Sequence, residues 1–304
     1  MRIISLFPAA TEMVCALGAA SSLVGVSHDS DFPPELLHSG IPRVTRTTLD
    51  ENAAPAEVDR LVRVADTLGE SLHVLDVEAI AELEPDVIIT QAICDVCAIR
   101  EGDVRIIAES LREPPIVLAL SANSLDEMLN DIHRVGAVIE RSPMSESLVD
   151  RLEARLSKVH HRLVTAAVPR PRVAVLEWTD PIYNAGHWVP QMVRRAGGIE
   201  VLAKAGERSR KVTMDELVAA NPDTIVFAPC GYGVVRAAAE GEMQARKKEW
   251  AWLAHRRAWA VDSGGLFSRP GPRLVDGVET LAEILHPTVF PRPSRARAAE
   301  LEIA

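Results

Sequence analysis

Two stretches far apart in the chain share one plan. "AIAELEPDVIIT" (79–90) and "ELVAANPDTIVF" (216–227) each read as the end of a helix, a Pro-Asp step and four β-favouring residues. The residue before a proline is pushed out of the α region, so each Pro-Asp closes a helix and launches a strand. Upstream of each lies a second matching pair, "RIISLF" (2–7) and "RVAVLE" (172–177), short apolar strands that lead through a loop into a helix. Those helices finish at Gly18 and at Gly197-Gly198, which suit left-handed caps. A third pair follows, "IVLAL" (116–120) and "AWAVD" (258–262). Three matched elements in the same order predict an α/β chain of two Rossmann-like lobes, with parallel sheets covered on both faces.

Between the halves the pattern changes. Ser124-x-x-Glu127 reads as a capping box opening "LDEMLNDIHRVGAVIE". Ser142-Pro143 then restarts a helix with proline at a tolerated first position. Met144, Leu148, Leu152, Leu156, Val159 and Leu163 form one apolar stripe along it. From 143 to 166 such a helix reaches about 36 Å, the length of a strut. The predicted organisation is an N-terminal α/β lobe over 1–123, a connecting helical segment over 124–168 and a C-terminal α/β lobe over 169–287. The Pro- and Arg-rich tail, 288–304, is expected to be loose or weakly docked. The alternative is one large domain containing the long helix, although 304 residues is long for a single core.

Charge narrows the function. With 33 Lys and Arg against 43 Asp and Glu, the chain lacks the basic footprint that nucleic-acid binding requires. No run approaches the roughly 20 apolar residues that span a bilayer, so no membrane insertion is expected. "MRIISLFPAATE" has neither a charged n-region nor a signal-length apolar core. Read as it stands, the chain is expected in the cytoplasm, and in the periplasm or outside the cell if a leader has been trimmed. It is expected to be a monomer.

In open parallel sheets, ligands sit beyond the carboxyl ends of the strands. The loops there carry an unusual set of residues. The first lobe offers Phe7 and Thr11, the latter read as a helix cap, then His28 and Asp29 in "VSHDSDFPP", and Gln91, Cys94 and Cys97 in "TQAICDVCAIR". The second offers Trp178, Asp180, Tyr183, His187 and Trp188 in "EWTDPIYNAGHWVP", "APCGYG", and Phe267 and Arg269 in "GGLFSRPGPR". Aromatic residues make up only 4% of the chain, yet Phe7, Trp178, Tyr183, Trp188, Tyr232 and Phe267 all fall in these predicted loops. Such side chains give flat contact area at low entropy cost, suited to a bulky planar ligand. The competing reading is that they cover the strand ends. The tryptophans of "KKEWAWLAHRRAWAVD" fit packing before the last strand.

This layout resembles the substrate-binding proteins of ABC importers whose two lobes are joined by one long helix (periplasmic binding protein class III, TroA-like), and within them the cobalamin-binding branch. The stretches that carry the resemblance are "RIISLFPAATEMVCALG", "GVSHDSDFPP", "PDVIITQAICDVCA", "AGHWVPQMVRRAGG" and "FSRPGPRLVDGVETLAEILHP". The resemblance implies a ligand held between two lobes without chemical conversion, no required cofactor, and a permease as partner. Cobalamin or another corrinoid is the implied ligand. The implied pocket uses the loops at Phe7 and His28, Gln91 to Cys97, Trp178 to Trp188, and Phe267 to Arg269. Relatives of this fold also bind haem, siderophores or metal ions. A siderophore site wants several convergent basic residues, for which this chain offers Arg269 and Arg46. Haem wants an axial ligand, for which His28 or His187 serves. Secreted relatives carry a signal peptide or lipoprotein cysteine, which this sequence lacks, and many have a cysteine where Ser30 stands here.

Cys94-x-x-Cys97 raises two further readings. Zinc needs four ligands, and Cys94, Cys97, His28 and Asp31 form a conceivable set. A metal- or thiol-dependent enzyme would use Cys94, Cys97 and His28. No nucleophile elbow, Walker loop or dinucleotide fingerprint is present. Asp180 and His187 mimic an acid–base pair with no nucleophile beside them. The reading adopted is a binding protein, not an enzyme, with the cysteines as polarizable wall contacts.

Overall fold

The two Pro-Asp segments fold into the same device. The backbone N–H of Arg2 donates to Asp86 Oδ2 at 2.6 Å, and that of Arg172 to Asp223 Oδ2 at 2.8 Å. Each aspartate returns its own N–H to the arginine carbonyl, at 2.9 and 2.8 Å. Each guanidinium Nε reaches a carbonyl at the end of the preceding helix, on Leu83 and on Asn221. The residues before the prolines, Glu84 and Asn221, both have positive φ, outside the right-handed α region that a following proline disfavours. A charge-assisted clamp thus joins the first strand of each half to its Pro-Asp strand.

The computed structural model describes residues 1–50, 53–92 and 99–303. It divides into two compact units, 1–122 with 126–151, and 123–125 with 152–304. The first contains β1 (Ile3–Ser5), α1 (Pro8–Ala16), β2 (Leu23–Val26), β3 (Thr45–Thr47), α2 (Pro55–Leu68), β4 (His73–Leu75), α3 (Val77–Glu82), β5 (Val87–Gln91), α4 (Glu101–Ser110) and β6 (Ile116–Leu120). Its main sheet runs β2-β1-β5-β6, all parallel, while β3 and β4 form a separate antiparallel pair. Ile4, Leu6, Ile80, Ile88 and Val104 pack together beside the sheet. The chain continues through α5 (Leu125–Val138) and α6 (Ser142–Ala166), the latter passing the division between residues 151 and 152. On α6, Leu148, Leu152, Leu156 and Val159 are buried, whereas Met144, expected on the same stripe, is half exposed. No helix among the described residues is long and apolar enough to cross a membrane.

The second unit contains β7 (Arg172–Thr179), β8 (Ile182–Asn184), α7 (Val189–Arg195), β9 (Ile199–Glu200), α8 (Met214–Ala219), β10 (Thr224–Phe227), α9 (Val234–Ala245), β11 (Arg257–Val261), α10 (Ser263–Leu266), α11 (Leu274–Leu285) and β12 (Ala298–Glu300). The central order β7-β10-β11 is parallel and repeats β1-β5-β6. Two further strands, β8 and β12, join this parallel core antiparallel. The expected loose tail is corrected. Residues 298–300 pair with β11, Leu301 N–H donates to the Ala258 carbonyl, and the Leu301 side chain is buried. "AAELEIA" has helix-forming composition, but an unpaired sheet edge beside an apolar surface overrides that preference.

Glu200 ends β9 with its carboxylate turned inward. It accepts the Leu202 N–H at 2.8 Å and the Val175 N–H at 3.3 Å. Burial pushes the carboxyl up to about 8, against backbone amides that pull the other way. The folded state therefore holds a proton that the unfolded chain, with its group near 4.5, releases. This contribution to stability is complete below the unfolded value and is lost as pH rises through about 8. The stability of the wild type relative to Glu200→Gln should therefore fall from pH 5 to pH 9. Urea unfolding across that range checks this, and a pH-independent difference would refute it.

Candidate functional site

In the first unit the strand-end loops are organised by hydroxyl groups. Pro8 occupies the first turn of α1 and Phe7 is its N-cap, without a side-chain cap. Thr11 is therefore not the cap expected from sequence. It lies inside α1, fully buried, with Oγ1 2.8 Å from both Ser5 Oγ and Ser30 Oγ. Ser30 continues the chain to Ser27 at 2.9 Å, and the Arg43 guanidinium binds the carbonyls of both Ser27 and Ser30. Ser30 is thus a buried member of a hydrogen-bonded row. Phe7 is buried too.

His28 is held by Thr45, whose Oγ1 accepts its backbone N–H at 2.9 Å and lies 2.7 Å from its Nδ1. Its Nε2 is 3.4 Å from Asp29 Oδ2, and its ring stands 5.3 Å from that of His73. Burial, followed by the neighbouring His28, lowers the pKa of His73, so the His73 ring favours its neutral form at pH 7. Sequence reasoning missed Arg43, Thr45 and His73. β3 and β4 are three residues each, too short to show a period. Arg46 is exposed on β3. Gln91 is the last residue of β5 and not a loop residue, paired in register with Leu120. Cys94 and Cys97 lie outside the described residues. Asp31 is exposed, and no group of three His, Cys, Asp or Glu able to hold a metal occurs among the described residues.

In the second unit, two of the expected loop aromatics belong to strands. β7 extends to Thr179 and turns through Asp180-Pro181 into β8, pairing Trp178 with Tyr183 and Thr179 with Ile182. Two-residue connections of this kind extend a hairpin past the point where an apolar run ends. The Trp178 ring meets Tyr232 edge-on at 5.6 Å. The Arg236 guanidinium lies 3.8 Å over the Tyr232 ring and donates to its hydroxyl at 3.0 Å. Lys211 Nζ sits 5.6 Å from the Tyr183 ring. Arg236 and Lys211 were not anticipated from sequence. The one available signal was the i,i+4 spacing of Tyr232 and Arg236.

Asp180 forms an ion pair with Lys247 at 3.6 Å, and His187 Nδ1 lies 2.6 Å from Asn123 Oδ1. The acid–base pairing of Asp180 with His187 suggested by sequence is therefore not formed. Burial, then Arg208, lowers the His187 pKa and keeps its ring neutral at pH 7. Positive φ at His187 turns the backbone so that its N–H reaches the Glu207 carbonyl at 2.7 Å. Trp188 is buried, and its Nε1–H donates to the Phe267 carbonyl at 2.7 Å. Trp188, Phe267 and Tyr232 are thus largely covered, while Trp178, Tyr183 and Arg269 are half-buried.

Strand-end loops carrying aromatic, histidine and arginine side chains on two repeated α/β units suit a ligand site. The model of a periplasmic binding protein family matches residues 3–253. The chain belongs to that family. As a periplasmic binding protein of the ABC-importer substrate-binding kind, it binds its ligand without converting it and needs no cofactor to do so. The chain is 24% identical over 303 residues to the uncharacterized ABC transporter substrate-binding lipoprotein YvrC of Bacillus subtilis, covering 95% of this chain and 81% of the relative. It is 24% identical over 286 residues to the vitamin B12-binding protein of Vibrio cholerae, covering 93% and 88%. The crystal structure of a periplasmic heme binding protein from Pseudomonas aeruginosa shares the fold with a TM-score of 0.72 at 20% identity, covering 99% of this chain and 98% of the other.

Proposed function

We propose that this periplasmic binding protein carries a bulky macrocycle, a corrinoid such as cobalamin, and hands it to an ABC importer permease. The observation that carries the reading is the end-to-end similarity to the vitamin B12-binding protein of Vibrio cholerae, over 93% of this chain. The half-buried rings of Trp178 and Tyr183 support it, since flat aromatic faces suit the apolar edges of a corrin, and the exposed Arg236 guanidinium, stacked on the covered Tyr232, suits its amide groups. Arg269 is the further basic residue available to a ligand oxygen. Delivery to an importer requires the chain on the uptake side of the membrane.

Haem is the second reading, favoured by the heme binding protein among the structural neighbours and by His187. With Nδ1 engaged by Asn123 and the ring kept neutral, Nε2 of His187 has the form an axial ligand needs. Calorimetric titration of the metal-stripped protein with cyanocobalamin, beside a spectroscopic titration with hemin, separates the two. One-to-one cobalamin binding at micromolar affinity or tighter, without a Soret shift on hemin addition, is the expected result. A saturable Soret shift lost in His187→Ala, with no heat from cobalamin, would replace the corrinoid by haem.

A further inference from the structure

Residues 123–125 belong to the second unit, although the chain on either side of them belongs to the first. Two side chains of the second unit hold them there. Gln191 on α7 accepts the Leu125 N–H through Oε1 at 2.6 Å, which satisfies one of the first-turn donors that a helix such as α5 leaves open. Both residues are buried, Leu125 completely. Four residues before Gln191, His187 Nδ1 lies 2.6 Å from Asn123 Oδ1. An amide oxygen has no hydrogen to give, so the imidazole donates and carries its proton on Nδ1.

The rest of His187 is fixed as firmly. Its φ is 53°, a left-handed value that a residue with a side chain keeps only where its surroundings enforce it. The enforcement is a pair of bonds to one segment. His187 N–H donates to the Glu207 carbonyl at 2.7 Å, and Gly206 N–H donates to the His187 carbonyl at 2.9 Å. The ring centre lies 5.5 Å from that of Trp188, whose indole is tied to the Phe267 carbonyl. Main chain, ring and Nδ1 are all restrained, whereas Nε2 has no hydrogen-bond partner among the described residues. Arg208 is the charged group that acts on this ring, and with burial it disfavours a second proton. Backbone strain held in this way is found where a side chain has to be aimed.

We infer that Asn123 and Gln191 are positioning residues: they fix His187 with its hydrogen on Nδ1 and offer Nε2 to the ligand as a bare acceptor. Gln191 acts at one remove, by holding the segment that carries Asn123. The inference rests on the reading that the strand-end loops of the second unit hold the ligand. It adds what that ligand presents at this point, which is an electron-pair acceptor. An amide N–H at the edge of a corrin is one source, and the metal at the centre of a macrocycle is the other. A carbonyl or carboxylate oxygen does not suit the position, since neither partner would carry a hydrogen.

The full chain without ligand gives the first readout. Long-range proton–nitrogen NMR at pH 8, with His187→Gln to assign the ring, should show His187 protonated on Nδ1. Asn123→Ala should move the hydrogen toward Nε2. Asn123→Asp should return it to Nδ1 and raise the ring pKa, because a negative charge beside an imidazole favours the protonated form. The second readout is affinity for cyanocobalamin, or for hemin if that is what binds. It should fall roughly tenfold in Asn123→Ala, as loss of one well-placed hydrogen bond does, and Asn123→Asp should recover most of the loss at pH 8. Aquacobalamin and hemin have an exchangeable axial position, so a shift of their visible bands on binding identifies the metal as the partner, and its absence the amide. A wild-type ring protonated on Nε2, a tautomer indifferent to Asn123→Ala, or unchanged affinity of the bound macrocycle in that variant would overturn the inference. Should Asn123→Ala not fold, an unmoved ring pKa in Asn123→Asp overturns it equally. Failure of every macrocycle to bind the wild type would overturn the ligand reading alone, and the ring spectra decide the positioning regardless.

Discussion

Trp250→Ala is expected to lower the unfolding free energy by about 3–5 kcal/mol, the cost of emptying a large aromatic site in a packed core. Trp250 is 2% exposed and is the largest fully buried side chain described. Its ring lies 5.7 Å from Phe227 and 6.3 Å from Trp252, within a cluster that includes Leu217, Ile225 and Leu253. It is carried by the 3-10 turn Lys248–His255, which also buries Leu253. The measurement is direct because all five tryptophans, at 178, 188, 250, 252 and 259, belong to the second unit. Urea unfolding followed by tryptophan emission therefore reports that unit alone, and the four that remain in the variant still report it. A loss under about 1 kcal/mol would mean that the surrounding side chains collapse into the space, contrary to the packing described.

Gly186→Ala should damage both stability and binding. A methyl group at this position would meet the backbone of the 207–209 segment, at 2.7 Å from Ser209 N and 2.8 Å from the Arg208 carbonyl carbon, and closer still to the Glu207 carbonyl oxygen. Backbone atoms cannot rotate away as a flexible side chain does, so the two loops must separate. That separation strains the bond from His187 N–H to Glu207 and the bond from Gly186 N–H to Ser209 Oγ. Overpacking of this kind costs about 1–3 kcal/mol. On the proposed reading the consequence for function is larger, because His187 follows immediately and a displacement on the order of 1 Å spoils a positioned binding group. Thermal unfolding and ligand titration of the same variant check both halves of the expectation. A variant with wild-type affinity would show that this loop does not form part of the binding surface.

Both effects fall on features that differ in how readily they are seen in the sequence. Trp250 is recognisable as a packing residue because it sits in an apolar run ahead of a strand, and burial of such a side chain is its default. Gly186 gives no comparable signal. The need for glycine there arises from a segment twenty residues further along, and glycine is otherwise common in loops.

What the sequence by itself determined is the repeated α/β frame. The order of strand, helix, Pro-Asp and strand is local chemistry, written in proline's backbone restriction and in short apolar runs, and it predicts the matched strands that the structure sets side by side as β1-β5-β6 and β7-β10-β11. The long helix α6 is legible for the same reason, through a stripe of Leu and Val at helical spacing. What only the tertiary structure decided is which side chains meet. Thr11 looks like a helix cap but is buried among hydroxyls because α1 starts three residues earlier, at Pro8. Asp180 and His187 are close in sequence, yet each is claimed by a partner about sixty residues away, Lys247 and Asn123. The segment 298–300 has the composition of a helix and becomes a strand because β11 presents an open edge. In each case the deciding interaction joins residues remote in the chain, and its energy exceeds the local preference of about 1 kcal/mol or less per residue that sequence patterns express.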